Sequence, residues 1–354
     1  MRWSCVVAWL GALAPSYAAD SLFDEARLSQ VSARMQTFVD EGQISGAVTL
    51  VATQERILHI GVVGQSDLAA GRAMTEDTLF RIASLTKTVT ATALMLLVED
   101  GRINIDDPVA KYLPAFQQQT LKDGRAARPV TIRDILTHTA GFRIIEVVSG
   151  QEFSAFCRAR IFQPLGMQDT GFVLSAEQAG RLAVTYKPGE KPGELIAVEI
   201  PDPTVARTPG PSGGLYATAG DLAKFYQTIL RDRTSSTPAL LPAARVTQMT
   251  SPLTPGIVTG FTPGNAWGLG WCVVEHPQGV TRHLSPGTFG HGGAWGTQAW
   301  IDPQRGLILL LMFQRTGFGN SDGSNVRDAF NEAVLTAYRG HTSETAGFES
   351  FGRY

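Results

Sequence analysis

Cysteine is scarce in this 354-residue chain, with three copies, and the six histidines are scattered so that no two stand at a helical ligand spacing. A disulfide framework is thereby excluded, and no metal site is expected. Charge of one sign is lacking too. The 30 basic and 32 acidic residues leave a net charge of -2 with no basic block, so neither nucleic acid nor anionic lipid is an expected partner. Beyond the first twenty residues no apolar run is both long enough and free enough of charge to cross a bilayer. Internal repeats, low-complexity tracts and cofactor fingerprints are missing as well, and no cofactor is implied.

What is present begins at the N-terminus. Met1-Arg2 precede a largely apolar stretch from Trp3 to Leu13, then Ala14-Pro15 and the small-residue sequence Ser16-Tyr17-Ala18-Ala19. Residues 1–19 read as a signal peptide, which makes the chain secreted or periplasmic. Cys5 would leave with that segment, and no cysteine follows the apolar run to carry a lipid. Cys157 and Cys272 could pair in an exported protein. However, Cys157 falls in the helix-like stretch Phe153–Ile161, where a buried free thiol is the expectation.

Residues 21–41 have the apolar spacing of an amphipathic helix, and Gly46–Thr53 and Arg56–Val63 read as a hairpin. From Thr75 to about Arg245 the pattern is mostly helical, with Thr218 to Asp221 spaced as a helix cap. Strands return at Gly268–Val274, Trp295–Ile301 and Leu307–Phe313, and residues 324–338 close with a helix. Strands at both ends with helices between them predict an α/β protein. One antiparallel sheet is built from both termini and flanked by helices, with an inserted mostly helical lobe. The expected division of residues 20–354 is an α/β lobe over about 20–74 and 265–354 and a helical lobe over about 75–264, with a cleft between them.

The most informative motif is Ser84-Leu85-Thr86-Lys87, at the head of the helical run Thr88–Asp100 that stops at Gly101. Residues three apart share a helix face. Lys87 can then take the proton of the Ser84 hydroxyl, while the helix N-terminus stabilises negative charge on an attacked group. Alone, the tetrapeptide is equally an N-cap serine beside a solvated lysine.

Further motifs decide between these readings. They are Phe80-Arg-Ile-Ala-Ser-Leu-Thr-Lys87, Asp106-Asp-Pro-Val-Ala-Lys-Tyr-Leu-Pro114, Thr131-Ile-Arg-Asp-Ile-Leu-Thr-His-Thr-Ala-Gly141, Pro164-Leu-Gly-Met167, Gly213-Gly-Leu215 and Phe289-Gly-His-Gly-Gly293. Together they resemble the serine β-lactamase-related hydrolases, the superfamily of class C β-lactamases, β-lactamase-type carboxylesterases and D-alanyl-D-alanine carboxypeptidases. The resemblance covers nearly the whole mature chain. It implies the β-lactamase/penicillin-binding-protein-like fold, Ser84 as acylated nucleophile and Lys87 as its proton-transfer partner. It also implies an oxyanion hole from the N–H groups of Ser84 and Ala294, and a small-molecule ester, β-lactam or peptidoglycan-like substrate. His291-Gly292-Gly293 stands where many members carry Lys-Thr-Gly, on what would be an edge strand beside the nucleophile. His138 has the look of a structural residue that ties a helix end to a loop.

One family motif is missing. None of the tyrosines at 112, 186, 216, 226 or 338 is followed two positions later by asparagine, so the Tyr-x-Asn proton relay is absent. Phe142-Arg143 runs straight into a helix ending that relatives reach only after several further segments, which reads as a deletion. Such a loss would uncover apolar surface and weaken catalysis. Tyr112 and Tyr216 are the candidate substitutes, Tyr216 because it follows the Gly-Gly loop expected to wall the cleft. The alternative reading is therefore a weakened ligand-binding or penicillin-binding-like protein with little turnover.

Overall fold

The computed structural model describes residues 22–118, 120, 128–137, 142–254, 256, 263–318 and 324–340, with backbone alone at Phe142 and Arg143. The segment read as a signal peptide and His138 lie outside the described residues. Helix α1 (Glu25–Asp40) is entered through Asp24, whose carboxylate accepts the Arg27 N–H. The hairpin β1 (Gly46–Ala52) and β2 (Ile57–Asp67) follows, then the short strands β3 (Arg72–Ala73) and β4 (Phe80–Arg81). The middle of the chain holds α2 (Thr86–Glu99), α3 (Ile132–Leu136), α4 (Phe142–Ser149), α5 (Phe153–Cys157) and α6 (Ala176–Gly180). After β5 (Tyr186–Pro188), β6 (Leu195–Ala197) and β7 (Tyr216–Ala217) come α7 (Ala219–Asp232) and α8 (Ala243–Thr250). Strands β8 (Asn265–Trp267), β9 (Cys272–Val274), β10 (Phe289–Gly292), β11 (Gln298–Asp302) and β12 (Leu307–Met312) precede α9 (Asn325–Ala337).

The main sheet has eight strands in the order β3-β2-β1-β12-β11-β10-β9-β8, all antiparallel. Its seam joins the two ends of the chain, with Val48 opposite Met312 and Ala52 opposite Ile308. Alternation at period two sends Val48, Leu50, Ile308, Leu310 and Met312 to the face shared with α2. Ala47, Val51, Leu307, Leu309 and Leu311 point to the opposite face, where Val31 and Met35 of α1 and Phe330 and Val334 of α9 cover them. Because both faces are buried, β12 reads as an unbroken apolar run.

Two expectations about strands need correction. Of the stretch read as one strand at Gly268–Val274, Cys272–Val274 (β9) is strand, and Gly268–Trp271 is the turn that joins it to β8, in which Gly270 has φ +75°. A Cβ on Gly270 would lie 2.4 Å from that of Ala91, so α2 packs directly on this turn. The strand read from Trp295 begins only at Gln298, because Gly293–Gly296 is a turn closed by the Gly296 N–H on the Gly293 carbonyl at 3.1 Å.

After Arg143, Ile144 and Ile145 are fully buried on the inner side of α4, which packs against α2 and α5. Val147 on the same helix, and Val173, Ile196 and Val205 elsewhere in the region expected to form the helical lobe, are large hydrophobics left exposed.

Cys157 and Cys272 are both buried and are not joined to each other by a disulfide. They sit in the two different cores, on opposite faces of the sheet, and burial pushes the Cys157 thiol up.

Candidate active site

Ser84 lies in a single tight turn, Ala83–Leu85, that leads directly into α2. The turn is forced by Ala83, whose φ of +48° is the one positive value among the described non-glycine residues. That conformation costs an alanine about 1–2 kcal/mol, and such strain gathers at functional sites. Ser84 and Lys87 are half-buried on the open side of the turn, while Ala83 and Leu85 are buried beneath it.

Lys87 Nζ stands 2.8 Å from Ser84 Oγ and also donates to the Ser212 carbonyl at 3.1 Å. The second contact is built by the loop before β7. Thr90 donates to the Pro211 carbonyl at 2.7 Å, and the Leu215 N–H donates to Thr86 Oγ1 at 3.2 Å. The buried threonines of α2 therefore grip the Gly213-Gly214 loop, which in turn aims Lys87 at the serine.

On the other side of Ser84 the 293–297 turn approaches closely. A Cβ on Gly293 would lie 2.7 Å from the Ile82 carbonyl oxygen and 3.3 Å from Leu85 Cδ1. Only glycine fits there. Thr297 Oγ1 donates to the Ile82 carbonyl at 3.1 Å, which ties the two turns together. Ala294 is exposed, and among the described residues no carbonyl accepts its N–H. Ser84 sits in a first helical turn, whose N–H groups lack intrahelical acceptors.

His291 differs from expectation. Its strand, β10, is the sixth of eight and pairs with β11 on one side and, at Phe289 and Gly290, with β9 on the other. It is not an edge strand. The His291 side chain is 2 % exposed and lies beside the Trp267 ring at 5.2 Å between centroids. Its Nδ1 is 2.5 Å from the Gly292 carbonyl. Burial, with the nearby Lys87 charge, pushes the imidazole down to about 3, so the ring is neutral at ordinary pH. The substrate-binding set of His291, Gly292, Gly293 and Ala294 therefore divides. The His291 ring turns into the core beside Lys87, whereas Ala294 is exposed.

The candidate tyrosines separate as clearly. The Tyr112 hydroxyl donates to Asp107 at 2.5 Å, a contact internal to the segment after α2. Tyr216 pairs with Arg81 across β4 and β7 and lines a pocket of about 140 Å³ with Arg81, Phe172 and Arg207. Among the described residues its hydroxyl makes no hydrogen bond to Ser84 or Lys87.

Sequence reasoning missed Ser212, Thr297 and Arg327. Arg327 is 1 % exposed and donates through Nη2 to the carbonyls of Gly293 (2.6 Å) and Thr297 (2.8 Å), and through Nε to Gly296 at 3.2 Å. A signal was available, because Arg327 lies three and seven residues before Phe330 and Val334 on the buried face of α9.

The family profile described as Beta-lactamase matches residues 31–143 and 143–332, two stretches that meet at Arg143. Esterase EstB of Burkholderia gladioli is 30% identical, over 80% of this chain and 90% of its own. That alignment runs over 365 positions, more than the 354 residues of this chain, so EstB carries residues where this chain has none. Penicillin-binding protein 4 of Amycolatopsis lactamdurans is 27% identical, over 82% of this chain and 85% of its own. Among solved structures, EstCE1, described as a hydrolase with promiscuous acyltransferase activity, superposes with a TM-score of 0.77 at 22% identity, covering 88% of this chain and 99% of that one. With matches spanning nearly the whole folded region and interrupted where the sequence itself breaks, the chain belongs to the Beta-lactamase family.

Proposed function

We propose that this protein is an exported serine hydrolase in which Ser84 forms an acyl-enzyme, with Lys87 as proton acceptor and the N–H groups of Ser84 and Ala294 as oxyanion hole. The observation that carries the reading is the 2.8 Å contact between Lys87 Nζ and Ser84 Oγ. Attack by the hydroxyl on a carbonyl passes its proton to Lys87 once that lysine has given up its own proton to solvent. The leaving group departs with a proton, and water then hydrolyses the ester on Ser84.

Esters are the favoured substrates. A lysine in the third motif would offer a fixed cation to a substrate carboxylate, whereas His291 is buried and neutral. Similarity to EstB points the same way. Purified protein should hydrolyse a short-chain nitrophenyl ester faster than it hydrolyses a penicillin. Turnover of neither, with no covalent adduct, would count against the proposal.

The absent Tyr-x-Asn motif favours a second reading, a penicillin-binding-like protein that acylates once and turns over little. A fluorescent penicillin retained on the protein without ester turnover is its signature. Inserting the missing segment of a complete relative between Phe142 and Ile144 should raise ester turnover by about tenfold or more, since it supplies a positioned acid/base group. A graft whose motif tyrosine is changed to phenylalanine should lose that gain. Equal rates with and without the graft would mean that a resident group such as Tyr216 already relays the proton.

A further inference from the structure

We propose that Arg327 is a positioning residue that aims and polarises the oxyanion donor of Ala294, an inference that rests on the acyl-enzyme reading of Ser84. The Gly293 carbonyl and the Ala294 N–H belong to one peptide unit. In a trans peptide these two groups lie in one plane and point in opposite directions. Arg327 Nη2 holds that carbonyl at 2.6 Å from inside the protein. The N–H of the same unit is thereby turned outward, to the exposed side where Ala294 lies. Anchoring the carbonyl fixes the donor.

The grip is not on one atom. Arg327 also holds the carbonyls of Gly296 and Thr297, and the Gly293 N–H donates to Thr297 O at 2.7 Å. One buried guanidinium thus binds three carbonyls of a single turn, a use of the planar fork that a lysine cannot reproduce. The turn is registered to the nucleophile by Thr297 Oγ1 on the Ile82 carbonyl. A cation on the carbonyl oxygen also draws electron density from the peptide, which makes its N–H a stronger donor to developing negative charge.

The test compares Arg327→Met and Arg327→Lys in the full protein. Five quantities are measured: acylation rate with a fluorophosphonate, KM and kcat for a nitrophenyl ester, melting temperature, and the amide proton shift of selectively labelled Ala294. Val334→Ala, a buried change elsewhere on α9, provides a destabilised control with the turn contacts intact. Arg327→Met should move the Ala294 amide shift and lower acylation and kcat by about ten- to a hundredfold, because loss of one whole oxyanion donor costs about 100- to 1000-fold and here the donor is misaimed rather than removed. KM should change little. Arg327→Lys should recover part of both effects and serves as the working variant if the methionine protein does not fold. Val334→Ala should lower the melting temperature without either change.

Wild-type acylation together with an unmoved Ala294 shift in the variants overturns the proposal, as does a rate loss matched by Val334→Ala at equal destabilisation. A shifted amide in a protein whose wild type acylates no probe means that the Ser84 reading has failed while the peptide anchoring stands.

Discussion

Ser84→Ala protein carries no covalent adduct after incubation with a fluorophosphonate or a fluorescent penicillin that labels the wild type. The argument is one of position. No other serine in the chain is followed three residues later by lysine, and no other described non-glycine residue is preceded by the backbone strain found at Ala83. Removing Oγ takes one hydrogen bond from Lys87, whose Nζ keeps the Ser212 carbonyl at 3.1 Å. The fold should therefore change in stability by about 1 kcal/mol or less. Intact-protein mass spectrometry reads the adduct and thermal melting reads the fold. Labelling of the alanine protein at the wild-type rate would remove Ser84 from the mechanism.

Lys87→Ala should slow acylation by about a hundred- to ten-thousand-fold, the usual cost of losing a positioned general base. Here the lysine contributes chemistry more than packing. Its head group donates to Ser84 Oγ and to the Ser212 carbonyl, while the neighbouring Thr86, Thr88, Val89 and Thr90 are buried. The carbonyl of Ser212 loses a charged donor, a change of about 1.5–3 kcal/mol at most and smaller where solvent can replace it. Stopped-flow acylation beside thermal melting separates the two effects. An unchanged acylation rate would assign the proton to another acceptor, with Tyr216 the first to examine.

Much of this geometry was legible in the sequence, and the reason is physical. Strands β1, β2 and β12 announce themselves by alternation or by an apolar run bounded by turns, and the nucleophile by a serine and lysine one helical turn apart. Tertiary facts were not legible. Nothing in Phe289–Gly293 distinguishes an edge strand from the sixth strand of eight, so His291 was placed in the substrate set although its ring is buried. Nothing in the sequence marks an alanine for a positive φ, and Ala83 takes one between the core residues Ile82 and Leu85. Arg327 carried a signal, an arginine on an apolar helix face, but its partners are backbone carbonyls, which have no sequence signature.

The seam between β1 and β12 carries a consequence for how the protein comes into being. Val48 meets Met312, so the first long strand has no partner on that side until nearly the whole polypeptide exists. At about 5–20 residues per second, the ribosome leaves β1 waiting roughly a quarter of a minute to most of a minute. During that interval the hairpin β1–β2 is a two-stranded ribbon, marginal by itself in water. The central sheet cannot close cotranslationally. A chain of this topology leaves the ribosome with its core unbuilt and completes its fold only when the last strand arrives.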